Sequence, residues 1–94
     1  MYVLRIEHPV FDFDGWKKAF DSDPVGREKS GVRRYYILRP VDDEKYVMID
    51  LEFETINQAE SLLAAMRVVW GRVEGTIMTN AQARIVEVVE TRAY

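Results

Sequence analysis

The stretch His8-Pro9-Val10-Phe11-Asp12-Phe13-Asp14-Gly15-Trp16-Lys17 decides the fold, because a strand ends in it and an amphipathic helix begins. Upstream, Tyr2, Leu4 and Ile6 alternate with Val3, Arg5 and Glu7, the period of two that marks a strand over residues 2–8. Pro9 has no N–H and holds His8 extended, so pairing is expected to fade there. Downstream, Asp12 is placed to cap a helix, and Asp14 puts a negative charge in its first turn, where the helix dipole favours one. Phe11, just before the cap, is positioned to staple onto Trp16. Phe13, Trp16 and Phe20 fall at i, i+3 and i+7 and share one face.

The pattern repeats further along. Asp23-Pro24 reads as a fresh cap and first helical position, with a short helical turn from Pro24 to Lys29 ending at Gly31. Residues 32–39 and 46–53 are rich in β-branched and aromatic side chains, and Pro40 to Lys45 joins them as a hairpin. Thr55-Ile56-Asn57-Gln58 is a capping box. After it, Ala59, Leu62, Leu63, Met66, Val69 and Trp70 keep a period of 3.6, with Gly71 as the expected stop. Residues 72–83 show no clean period and read as loop, and the last strand is expected over Arg84 to Glu90. Strand–helix–strand–strand–helix–strand is the ferredoxin-like βαββαβ order, an α+β fold with both helices on one side of a four-stranded antiparallel sheet.

Ninety-four residues make one domain, 1–94, whose 48% hydrophobic and 31% charged composition is that of a globular chain. The net charge of −3 argues against nucleic-acid or anionic-membrane partners. The RRM shares the strand order, but the exposed side of this third strand reads Tyr46, Met48, Asp50, Glu52, which offers little stacking and two acids that repel phosphate. No apolar run approaches the ~20 residues that cross a bilayer. The chain has no cysteine, which removes disulfides, thiolate nucleophiles and cysteine metal sites, and makes the cytoplasm the default location. One histidine without cysteine makes a catalytic zinc site unexpected, and no cofactor or metal is assigned.

Val47, Ile49, Leu51 and Phe53 point to one side of their strand, toward the helices. Tyr46, Met48, Asp50 and Glu52 point to the other, with Tyr36 and Val86 as further candidates for that side. So much apolar surface is expected to be covered, most simply by the same face of a second copy. Arg34 is expected beside Asp50 or Glu52 there, as a cross-strand ion pair or as a polar group fixing the register of a dimer.

The run from His8 to Asp21 resembles the first strand–helix corner of the dimeric α+β-barrel superfamily, which includes antibiotic-biosynthesis monooxygenases, muconolactone isomerases and stress-responsive barrel proteins. Arg27, Gly31, Arg39, Asp42-Asp43, the Phe53 strand end and Leu63-x-x-Met66-x-x-x-Trp70 extend the resemblance. It implies a homodimer packed sheet on sheet, helices outside, with a small-molecule pocket between helices and sheet. It implies chemistry only loosely: a cofactor-independent monooxygenase or isomerase acting on an aromatic or polyketide-like compound, or a non-catalytic ligand-binding or stress-associated dimer.

The candidate site residues follow. His8, with an ordinary pKa near neutrality, is the candidate acid–base, against a structural role bonded to backbone or to Asp12 or Asp14. Tyr35 is the candidate phenol, if it faces the helices. Trp16, Phe20, Met66 and Trp70 are the candidate ligand-binding wall for a flat aromatic compound, against plain core packing. Arg27, Lys29, Arg33 and Arg34 form a basic patch that could attract an anion, against a solvated surface balanced by Glu28. Asp42-Asp43 reads as turn chemistry.

Overall fold

A computed structural model describes residues 1–94. Its elements are β1 (Tyr2–Pro9), α1 (Phe13–Asp21), β2 (Arg34–Leu38), β3 (Tyr46–Phe53), α2 (Ile56–Val73) and β4 (Gln82–Glu87). The strands form one antiparallel sheet in the order β2-β3-β1-β4, the ferredoxin-like arrangement. No helix is long and apolar enough to cross a membrane.

Several boundaries move, each for a local reason. Pairing does not fade at Pro9: Pro9 lies opposite Tyr46, and the Val10 N–H still donates to the Lys45 carbonyl at 2.8 Å. The proline removes a single donor, and its neighbours hold the ladder. Asp12 caps α1 as expected, accepting the Gly15 N–H at 2.9 Å. Phe11 does not serve as the expected staple; it stands half exposed, and Phe13 packs on Trp16 instead. After α1, residues 24–31 form turns rather than a helical segment. Gly26 takes a positive φ (+77°), which ends any helix two residues after Pro24. The Asp23 side chain still accepts an N–H, that of Arg27 at 2.9 Å.

The capping box at Thr55 and Gln58 forms with both bonds. α2 does not stop at Gly71 but runs to Val73. An interior glycine costs roughly 1 kcal/mol, which the packing of Trp70 and Val73 on either side outweighs. The chain leaves the helix only near Gly75, whose φ of +84° no other residue type adopts as easily. β4 begins and ends earlier than the sequence pattern indicates. Its only partner is β1, and Tyr2 opposite Glu87 is the last rung, with Val88 adding one bond to the Met1 carbonyl.

Side-chain alternation sorts the sheet into two faces. On the helix side, Leu4, Ile6, Val47, Ile49, Leu51 and Phe53 are at most 3% exposed and form one cluster with Trp16 and Phe20 of α1 and Ala59 and Leu62 of α2. Ile37 lies opposite Ile49 and Tyr35 opposite Leu51, so both belong to this side. The other side carries no helix. It is less greasy than its apolar members imply, because Arg5 also points that way. Arg5 makes two hydrogen bonds to Asp50 (3.0 and 3.1 Å), Arg34 reaches Glu52 (3.1 and 3.4 Å), and the Tyr46 hydroxyl donates to Glu7 at 2.6 Å. Val3, Tyr36, Leu38, Met48 and Val86 fill the spaces around these pairs.

Candidate functional site

α1 and α2 do not close fully over the sheet. Between them lies an open-sided apolar cleft of about 70 Å3. α1 contributes Trp16, Ala19 and Phe20, which the Asp12 cap and the helical period aim inward. The turn after α1 contributes Pro24, Val25 and the charged pair Asp23 and Arg27. The second half of α2 contributes Met66, Val69, Trp70 and Val73, spaced at i, i+3, i+4 and i+7, and Ile77 and Met78 close the far end. Asp23 and Arg27 are the only charged groups in the lining.

An aromatic row runs from β1 through α1 to β2. Trp16 sits 5.2 Å from Phe20 between ring centroids, and Phe20 meets Tyr35 edge-on, also at 5.2 Å. At the other end His8 meets Trp16 edge-on at 6.0 Å. His8 and Tyr35 therefore stand at opposite ends of the row, and neither lines the cleft itself. Tyr35 lines an adjoining polar groove that shares Asp23 and Arg27 with the cleft. His8 is buried beneath the wall formed by Trp16.

The environment of His8 sets its chemistry. Its Nδ1 lies 2.9 Å from the Pro9 carbonyl oxygen. A carbonyl only accepts, so Nδ1 carries the proton and Nε2 keeps the lone pair. Burial pushes the imidazole below its ordinary pKa, while the Pro9 carbonyl and the charge of Glu74 pull the other way. The result is a neutral base with a fixed tautomer. Asp12 and Asp14 are not its partners: Asp12 is engaged as the helix cap. Glu74 belongs to the segment that covers this end. Its carboxylate accepts the Thr79 hydroxyl at 2.6 Å and the Asn80 N–H at 3.1 Å, and these bonds hold it below the usual carboxylate range. Met78 in the same segment makes an isolated bridge to Val10, the residue after β1, and lines the cleft. No three histidine, aspartate or glutamate side chains converge as a protein metal site requires.

Similar architecture occurs in solved structures. SnoaB, a cofactor-independent oxygenase from Streptomyces nogalater, matches with a TM-score of 0.75 at 11% identity, over 96% of this chain and 94% of that one. A candidate antibiotic biosynthesis monooxygenase from Nitrosomonas europaea matches with a TM-score of 0.72 at 17% identity, over 94% and 89%. A dimeric ferredoxin-like protein from an uncultured marine organism matches with a TM-score of 0.67 at 13% identity, over 97% of both chains. The chain shares their ferredoxin-like fold. No family model matches it, and no curated protein matches it by sequence.

The four residues expected to form a wall, Trp16, Phe20, Met66 and Trp70, come together around one cleft. His8 and Tyr35 are separated by that wall. The basic patch divides: Arg33 pairs with Glu54 at 2.7 Å and Arg34 with Glu52, whereas Arg27 turns toward the cleft. Val69 already stands on the helical period, and Val73 joins it once that period is carried past Gly71. Ile77, Met78 and Glu74 carry no periodic signal and enter the site only through the return of the chain to β4.

Proposed function

We propose that this protein is a homodimeric, small-molecule-binding barrel of the cytoplasm, that its cleft takes a planar and largely apolar compound, and that it acts on that compound without a cofactor as an oxygenase or isomerase. The helix-free sheet face is the dimer seam. The observation that supports the chemistry most is His8: a buried, neutral imidazole with Nδ1 anchored on Pro9 and Nε2 free to accept a proton, next to a ring that walls an apolar cleft. His8 is 1% exposed, so side chains around it must shift for a guest to reach Nε2. Tyr35, in the adjoining groove, then offers a phenol O–H to an oxygen on the part of the guest outside the cleft. A base that removes the proton of an electron-rich phenol leaves a carbanion-like species able to react with O2 directly. For α-naphthol the balanced outcome is a naphthoquinone and one water for each O2 consumed. The fold is shared with an oxygenase of the cofactor-independent kind.

A second reading, a non-catalytic binder, is favoured by a specific fact: neither His8 nor Tyr35 lines the cleft. One experiment separates the two. The protein is incubated with α-naphthol in air, following O2 uptake and quinone absorbance, with His8→Ala and His8→Gln alongside. Turnover that disappears in both variants while the folded dimer persists supports the enzyme. Binding of naphthol without O2 uptake in the wild type leaves the binder.

A further inference from the structure

We infer that Arg27 is the specificity-determining residue of the cleft, and that the compound bound there is an amphiphile: a planar apolar body carrying an anionic group, such as a carboxylate, at its outer end. This rests on the cleft being a binding site.

The cleft is about half the ~150 Å3 of an apolar cavity that takes up benzene. A guest the size of a ring system must therefore protrude through the open side. Arg27 stands where the apolar cleft meets the polar groove, lining both. Its guanidinium is held in place by three contacts. Nη1 donates to the Phe20 carbonyl at 2.8 Å, Nη1 lies 3.4 Å from the Asp23 carboxylate, and the planar group stacks over the Phe20 ring with Cζ 3.8 Å from the centroid. The Tyr35 ring flanks it at 5.3 Å.

These contacts use one nitrogen of the three. Nε and Nη2 donate to nothing in the protein, and no polar side-chain atom is left buried without a partner, so these donors are open to solvent. The side chain is only 15% exposed, so little rotamer freedom remains to be lost when an anion binds. Asp23 offsets part of the charge, but from the Nη1 side; the two free nitrogens present the geometry that receives a carboxylate through two parallel bonds. Arg33 and Arg34 in the same groove are committed to Glu54 and Glu52 and do not compete for this role.

Naphthoate and its neutral near-isostere naphthamide test this, with affinity measured by calorimetry on the wild type, Arg27→Met and Arg27→Lys. Met keeps an unbranched stem over Phe20 and removes the charge; circular dichroism and the melting curve check that it folds. The expected result is naphthoate at least tenfold tighter than naphthamide in the wild type, a ratio near one in Arg27→Met with naphthamide unchanged, and an intermediate ratio in Arg27→Lys, which keeps charge but not the two-bond geometry. Equal affinities in the wild type, or a preference that survives Arg27→Met, overturn the role of Arg27 and leave the cleft reading standing. If neither probe binds, or if Trp70→Ala and Met66→Ala change neither affinity, the cleft reading fails and this inference with it.

Discussion

The two faces of the sheet are made of the same strands and hold together by opposite means. On the helix side, every β3 residue that points inward is apolar and buried, and the energy lies in removal of carbon from water. On the open side, β3 alternates into Met48, Asp50 and Glu52, and neighbouring strands meet these acids with Arg5 and Arg34. Those pairs are half solvated: the side chains of Arg5 and Arg34 are 57% and 62% exposed, while those of Asp50 and Glu52 are 18% and 11% exposed. A dry face fixes the fold of one chain. A face of cross-strand ion pairs fixes the register of the strands and leaves open what covers it.

Four measurements test this contrast. The largest effect is expected from Phe53→Ala, which empties a position of no measurable exposure. The cost is about 3–5 kcal/mol, read from urea unfolding; a loss below about 1 kcal/mol would show that the helix side is loosely packed. Next is Met48→Glu on the open side. It adds a charge beside Glu7, across the strand pair. Sedimentation at micromolar concentration is expected to give the mass of one chain for the variant and of two for the wild type, with intrinsic stability changed by less than about 1 kcal/mol. An unchanged mass removes that face as the seam.

A pH series probes the buried histidine within the dry side. The folded pKa of His8 lies below its ordinary 6.5, so the unfolded chain binds the extra proton. Stability is therefore level above about pH 7 and falls as the pH drops below 6.5, by at most about 1.4 kcal/mol per pH unit until the folded value is reached. His8→Gln is expected to flatten the curve between pH 7 and pH 5. Glu74 contributes in a separate, more acid window, because its folded pKa lies below 4.5 and its contribution is lost as it protonates. A wild-type curve as flat as that of His8→Gln contradicts a buried neutral imidazole. The smallest effect belongs to the pair Arg5 and Asp50. A double-mutant cycle to alanine is expected to give a coupling of about 0–1 kcal/mol when the face is wet, and more at concentrations where a second copy covers it.

Much of the fold was legible because it depends on short-range pattern. The Asp12 cap, the Thr55–Gln58 capping box and the inward row from Val47 to Phe53 are written in three or four residues each. The boundary errors at Gly71, Pro24 and Arg84 share one cause. Each was read from local propensity, and each is set by a distant partner or a neighbouring glycine: the packing of Trp70 and Val73, the positive φ of Gly26, and the length of β1.

The site divides along the same line. The sequence by itself determined that Trp16, Phe20, Met66 and Trp70 share the inner faces of two helices, since helical period alone places them there. Only the tertiary structure decided that a cleft remains between those helices, that His8 lies behind its wall with one nitrogen fixed, that Tyr35 falls in the groove, and that Arg27 alone of its patch turns inward. The width of the cleft and the pairing of Arg33 and Arg34 with Glu54 and Glu52 are set by contacts between residues far apart in the chain. Arg27 and His8 are held by nearer neighbours, Phe20, Asp23 and Pro9, through bonds that follow from the path of a turn and a strand end. No helical or strand period records either.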